Sequence, residues 1–191
     1  TKKAHLAAIV QFSWVGVPSV YYGEEIGMVG GEDPDNRRGM RWDLVADTNP
    51  TLQLYKKLIS ARRSCKALQS GTPSILFTND SSQTIAFART TKDDAAVTVI
   101  NRSNATQEVA IDFSKTELKP LVGREVIDVL SGKKHFFRAT RHKFALSGKQ
   151  GIILATSKDS HYPGRRSTML VHRFAPGFQS AFGLGHARSI N

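Results

Sequence analysis

The sequence predicts an α/β unit followed by an all-β domain. Residues 1–71 read as the last part of a (β/α)8 barrel (helix, final strand, helix), residues 72–157 as an antiparallel β-sandwich, and residues 158–191 as a tail. Three observations carry this reading. The spacing of apolar residues changes near Gly71 from a helical period of about 3.6 to a strand period of about 2. The run Val17–Tyr22, apolar at most positions, ends at Gly23 and opens onto a loop of about two dozen residues, longer than structural connections need. After Thr156 neither period persists.

In chain order, Lys3 to Trp14 is helical, because Leu6, Ile9 and Val10 share one face. Gly16 and Pro18 end that helix. Val17 to Tyr22 then has the β-branched and aromatic content of a strand covered on both faces in a parallel sheet. A second helix starts at Asn49, a good N-cap, with Pro50 at the first helical position, where no amide is needed. Its apolar stripe is Leu52, Tyr55, Leu58, Ile59 and Cys65, and Gly71-Thr-Pro73 stops it. Alternating segments follow at Ser74–Thr78, Thr84–Thr90, Ala96–Ile100, Glu108–Phe113, Glu125–Leu130, His135–Ala139, Lys143–Leu146 and Gly151–Ala155. Turn clusters such as Asn79-Asp-Ser-Ser82 and Asn101 to Asn104 separate them, and short strands at regular spacing predict a sandwich. Beyond Ser160, Pro163-Gly164, Pro176-Gly177 and Gly183-Leu-Gly185 break any pattern, so the tail reads as disordered or unrelated to the sandwich.

Composition narrows the partners. With 27 Lys and Arg against 16 Asp and Glu, the net charge is +11, which raises nucleic-acid binding as a class. No zinc-finger spacing or aromatic RNP-like motif accompanies the charge, and Arg165, Arg166, Arg173 and Arg188 follow the last acidic residue, Asp159. No apolar run approaches the ~18 residues of a membrane helix. The expectation is therefore no nucleic acid and no membrane, with the oligomeric state left open. Cys65 stands alone and falls on the apolar stripe, which fits a small buried hydrophobe better than a nucleophile. Asn79, Asn101 and Asn104 match the glycosylation sequon but read as turn residues. The chain opens without Met directly into a helix and reads as truncated.

Chemistry belongs in the long loop, because polar side chains at the carboxyl end of a buried strand are where α/β barrels assemble their sites. Glu24 and Glu25 are neighbours whose side chains point to opposite sides, so they cannot face each other across one scissile bond. Glu25 reads instead as a structural acceptor for loop amides. Asp33 and Arg37 lie four residues apart, so a helical turn would bring both to one side. There a carboxylate can accept from hydroxyls and a guanidinium can donate in a fixed fork. The alternative is a local ion pair that shapes the loop. Arg38 and Arg41 read as salt-bridge formers, Trp42 as packed beside Met40 in preference to stacking on a ligand ring, and His5 as a surface residue.

Gly16-Val-Pro18 with Gly23-Glu-Glu25, followed by Asp33-Pro-Asp-Asn-Arg-Arg38 and Met40-Arg-Trp-Asp43, resembles the eighth strand and following loop of the alpha-amylase family of glycoside hydrolases, closest to its neopullulanase, cyclomaltodextrinase and maltogenic amylase members. The resemblance spans roughly Lys2 to Thr156 and is specific only at Gly16–Asp43. It implies substrate-binding roles for Asp33 and Arg37 on the non-reducing side of the cleaved bond. It implies an α-glucan oligosaccharide substrate and cleavage of α-1,4-glucosidic bonds in cyclodextrins, pullulan or maltooligosaccharides with retention. The family's nucleophilic Asp, acid/base Glu and third Asp follow earlier strands, so no catalytic and no metal-ligating residue is assigned here, and no cofactor. Calcium sites and the subgroup's dimerisation module would also fall outside. The chain alone is expected to be inactive, with Val20, Leu58 and Ile59 lacking barrel partners. A rival reading is a non-catalytic carbohydrate-binding sandwich, which needs exposed aromatics along a sheet face; Phe77, Phe87 and Phe113 alternate inward instead. A basic nucleic-acid-binding protein is the second rival.

Overall fold

Strand β3 (Ala95–Asn101) is buried along its whole length, and that organises the fold. Successive side chains on a strand alternate between faces, so a strand buried throughout must be covered on both. The computed structural model, which describes residues 2–156, supplies both covers. The expected tail, 158–191, lies outside the described residues.

Eight strands form, close to the eight expected: β1 (Thr72–Asn79), β2 (Thr84–Thr90), β3, β4 (Gln107–Asp112), β5 (Glu125–Asp128), β6 (Lys134–Phe136), β7 (Arg141–Leu146) and β8 (Gln150–Thr156). A six-stranded sheet has the order β1-β2-β3-β8-β5-β6, and β4-β7 make a second sheet; every pairing is antiparallel. Between the sheets, Val97, Val99, Leu154 and Val126 of the larger meet Val109, Ile111, Phe144 and Leu146 of the smaller. Phe113 stacks on Phe137 there at 4.2 Å between ring centroids.

The opposite face carries the helices. Helix α1 (Lys2–Ser13), helix α2 (Pro50–Ser64) and the short helix α3 (Lys66–Ser70) bury Leu6, Ile9, Phe12, Tyr55, Leu58 and Leu68 against Ala96, Ile100, Ile153 and Ala155. Burial of side chains this size stabilises by roughly 1.5–3 kcal/mol each. Packing therefore runs across Gly71, and the described residues 2–156 cluster in one unit. Two expectations change as a result. Leu58 does not lack a partner, since the sheet covers it, whereas Val20 and Ile59 do stand exposed. Phe87 is buried, but on the helix side, edge-on to Trp14 at 4.8 Å, and not between the sheets.

Buried polar groups tie the layers together. The Asp94 carboxylate accepts from the Ala67 amide at 3.0 Å, capping α3 from the turn between β2 and β3, and from the Thr156 hydroxyl at 2.8 Å. Asn101 donates to the carbonyls of Ala105, Leu146 and Ser147, joining β3 to the end of β7. Asn79 accepts from the Ser82 amide, so both asparagines serve turns as expected. Arg89, on β2 and 1% exposed, donates to the carbonyls of Gly71, Ser13 and Trp14. Arg62 of α2 reaches Phe12, Trp14 and Gly16. Two guanidiniums thus hold the carboxyl end of α1, where orphan carbonyls and the helix dipole favour cations.

The expected strand at Val17–Tyr22 does not form. Residues 17–21 have no regular structure, 22–23 make a turn, and Val17 is 94% exposed. A strand is defined by its ladder, and among the described residues none lies alongside to accept one.

Candidate functional site

The loop between α1 and α2 is built from short local structures. Gly23 and Gly27 have φ of 88° and 76°, a left-handed backbone that glycine adopts freely, and they bracket a 3-10 turn at Glu24–Ile26. The Gly23 amide donates to the Glu25 carboxylate at 2.9 Å, the structural role expected for that residue. The Tyr21 amide donates to Glu24 at 3.2 Å, so the adjacent carboxylates serve different amides and form no facing pair. The Tyr55 phenol beneath them is pushed above its ordinary value, by burial first and then by Glu24 and Glu25. At the far end Asn49 caps α2 through the amides of Thr51 and Leu52, while its own amide nitrogen holds the carbonyls of Ile26 and Leu44.

Asp33 and Arg37 come together. Arg37 donates through Nη2 to Asp33 Oδ2 across a 3-10 turn at Asp35–Arg37, and both side chains are more than half exposed. Asp35 accepts from the Gly31 amide at 2.6 Å and from Arg38 Nε at 2.6 Å, and these bonds hold its carboxyl below the ordinary range. Arg41 forks onto Asp43 at 2.8 and 2.6 Å, which lowers Asp43 and raises Arg41. Arg38 and Arg41 thus form the expected salt bridges. The Tyr22 hydroxyl donates to the Arg38 carbonyl at 2.8 Å, tying the start of the loop to its middle.

Two expectations fail here. Trp42 does not pack; it is 75% exposed, because the 3-10 turn at Trp42–Leu44 lies at the surface with no described element above it. His5 is half-buried rather than on the surface, its Nε2 2.9 Å from the Thr51 hydroxyl, and burial lowers its pKa. Sequence reasoning also missed a recess of about 510 Å³ beside it, lined by Ala4, Ala8, Gln11, Glu24, Met28 and Tyr55. The signal was present in the small side chains of α1, but the opposing wall comes from two distant segments. Among the described residues no group of three or more acidic, His or Cys side chains is placed to hold a metal ion.

The chain is similar to several known proteins. It is 31% identical to neopullulanase 2 of Thermoactinomyces vulgaris over 152 residues, 80% of this chain and 25% of that protein. It is 30% identical to a cyclomaltodextrinase of Geobacillus thermopakistaniensis over 133 residues, 70% of this chain and 22% of that protein. The chain thus spans about a quarter of the curated relatives it matches. Among solved structures, an Anoxybacillus alpha-amylase superposes with a TM-score of 0.69 at 29% identity, over 82% of this chain and 32% of that one. An alpha-amylase of Geobacillus thermoleovorans, solved in complex with acarbose, gives 0.69 at 26% identity, over 83% and 34%. No family model matches.

Proposed function

We infer the function from one premise, that this chain belongs to the alpha-amylase family. On that basis it is the C-terminal part of a glycoside hydrolase that cleaves α-1,4-glucosidic bonds in cyclodextrins, pullulan or maltooligosaccharides. The observation that carries the reading is the similarity to a cyclomaltodextrinase and a neopullulanase over most of the chain. Residues 1–71 would contribute the end of the catalytic barrel, 72–157 its sandwich domain.

Asp33 and Arg37 are the substrate-binding residues of this proposal. Their exposure and mutual pairing support it, since a carboxylate already oriented by a guanidinium can accept from vicinal hydroxyls without first being ordered. Cleavage with retention needs two further carboxylates facing across the bond, a nucleophile and an acid/base, and neither is assigned to this chain. Hydrolysis is therefore a property of the longer protein. The rival binding-module reading is weakened, because Phe87 and Phe113 are buried and Phe77 packs against the core.

Two measurements test this. The purified chain should release no reducing sugar from cyclodextrin, and release above that of an Asp33→Asn/Arg37→Gln variant would overturn the assignment of catalysis elsewhere. Titration with maltotriose should give weak binding, on the order of millimolar. That binding should vanish in the same variant; binding that survives both substitutions would remove Asp33 and Arg37 from the site.

A further inference from the structure

Strands β6 and β7 follow one another in the chain but lie in different sheets, each as an outer strand. A recess of about 530 Å³ opens between them, within the size range of small-molecule sites. The register explains its lining. His135 pairs with Val126, whose side chain belongs to the core between the sheets, and two residues along the Asp128 amide donates to the Lys133 carbonyl at 2.8 Å. Side chains alternate, so Lys133 and His135 share that inward face, as Gln150 and Ile152 do with Leu154 on β8. Opposite them β7 presents Phe144 and Leu146.

The intersheet core comes to the surface here. Phe137 stacks on both Phe113, at 4.2 Å between centroids, and His135, at 5.6 Å. Phe144 and Ile152, each 8% exposed, are the most open members of that core, and both line the recess. Its polar side chains sort by what they can still do. The acceptors are used. The Asp128 carboxylate takes the Leu130 amide at 3.2 Å, the Ile153 amide at 3.3 Å and the Ser131 hydroxyl. Gln150 Oε1 takes the Ser147 amide at 2.7 Å, and His142 Nε2 the Arg138 amide at 3.3 Å. Lys143 is paired with Glu108 at 2.8 Å. The groups without a partner among the described residues are donors: Lys133 Nζ, Gln150 Nε2 and the ring N–H that His135 keeps in either tautomer.

We propose that this recess binds a medium-chain carboxylate, its apolar tail laid over Phe144 and Ile152 between the sheets and its head group taking hydrogen bonds from Lys133, His135 and Gln150. A carboxylate only accepts, which matches a set of free donors, and its bond to an ammonium is of the stronger, charge-assisted kind. A sugar matches poorly, because each hydroxyl also donates and would find no free side-chain acceptor. No residue of the loop between α1 and α2 lines the recess, so it takes a different class of ligand from the one assigned to Asp33 and Arg37.

The test is calorimetric titration of the full chain with sodium decanoate below its micelle concentration. One site is expected, with a Kd on the order of 10–100 μM. Decanol, which has the same tail and no charge, should bind about tenfold more weakly or worse. Lys133→Ala, in an exposed turn, and His135→Phe, which keeps a ring on Phe137 but removes its N–H, should each weaken decanoate about tenfold. Circular dichroism should show both variants folded, and the His135 ring resonances of the unsubstituted chain should shift on binding. Excess maltotriose should not displace decanoate, and Asp33→Asn/Arg37→Gln should bind it unchanged. Overturning results are no saturable binding, several equivalent sites, equal affinity for decanol, indifference to both Lys133→Ala and His135→Phe, or displacement by maltotriose.

Discussion

Cys65 lies at the junction of α2 and α3, its Sγ 3.5 Å from the Asp94 carboxylate. Burial first, and Asp94 second, push its thiol up to about 12. The folded chain therefore keeps a proton that the unfolded chain releases above about 8.5. Protons bound to the folded state in excess make stability fall as pH rises, here from about pH 8.5 towards 12, and the contribution is intact below that window. Chemical denaturation should show this decline, and Cys65→Ala should flatten it. At pH 8 the native thiol should react with a disulfide reagent on the order of a thousandfold more slowly than a free cysteine, at a rate set by opening. Arg89 gives a second prediction. Arg89→Met leaves the carbonyls of Gly71 and Ser13 without their donor and Trp14 with Arg62 alone, and should cost about 2–4 kcal/mol in urea denaturation. The burial of Cys65 was legible from its place on an apolar stripe. Its partner, and those of Arg89, were not, because they lie far away along the chain.

At the scale of elements, the strands were legible where alternation is strong. Val109, Ile111 and Phe113 announce β4, and Val97 and Val99 announce β3. The break at Cys65 that divides the second helix was hidden, because the Asp94 carboxylate capping α3 comes from a turn beyond β2. Val17–Tyr22 failed for a different reason. Its composition demands a covered strand, but a ladder needs neighbours, and the described residues contain none. Of the site, the salt bridges of Arg38 and Arg41 and the role of Glu25 follow from local spacing and were readable. The exposure of Trp42 depends on what lies above it and was not. One close approach belongs to this scale as well. A Cβ at Gly148, in the turn before β8, would stand 2.1 Å from the carbonyl oxygen of Asn104, a backbone atom that cannot step aside. Gly148→Ala should therefore separate two turns and cost about 1–3 kcal/mol, read as a lowered urea midpoint.

For the molecule as a whole, one sheet shared by two cores decides how it unfolds. The helices bury Leu6, Ile9 and Phe12 against the same strands whose other faces fill the sandwich. Helix α1 should not fray while the sandwich persists. Thermal melts followed by Trp14 fluorescence and by far-ultraviolet circular dichroism should coincide in one transition. Phe12→Ala, which empties a position packed edge-on against Tyr55 at 5.7 Å, should lower that single transition by about 3–5 kcal/mol rather than release α1 alone. Two separate transitions would show the helices to be independent of the sheet.

The guanidinium grip on the end of α1 bears on how this chain can be recombined with its relatives. A hybrid joined at Gly71, where helices give way to strands, would graft one parent's Arg89 onto another parent's carbonyls and misplace the segment that leads into the loop. A crossover ahead of Lys2 would carry helices and sheet across together. Libraries built at the two junctions should differ in the fraction of soluble hybrids, with the earlier junction ahead.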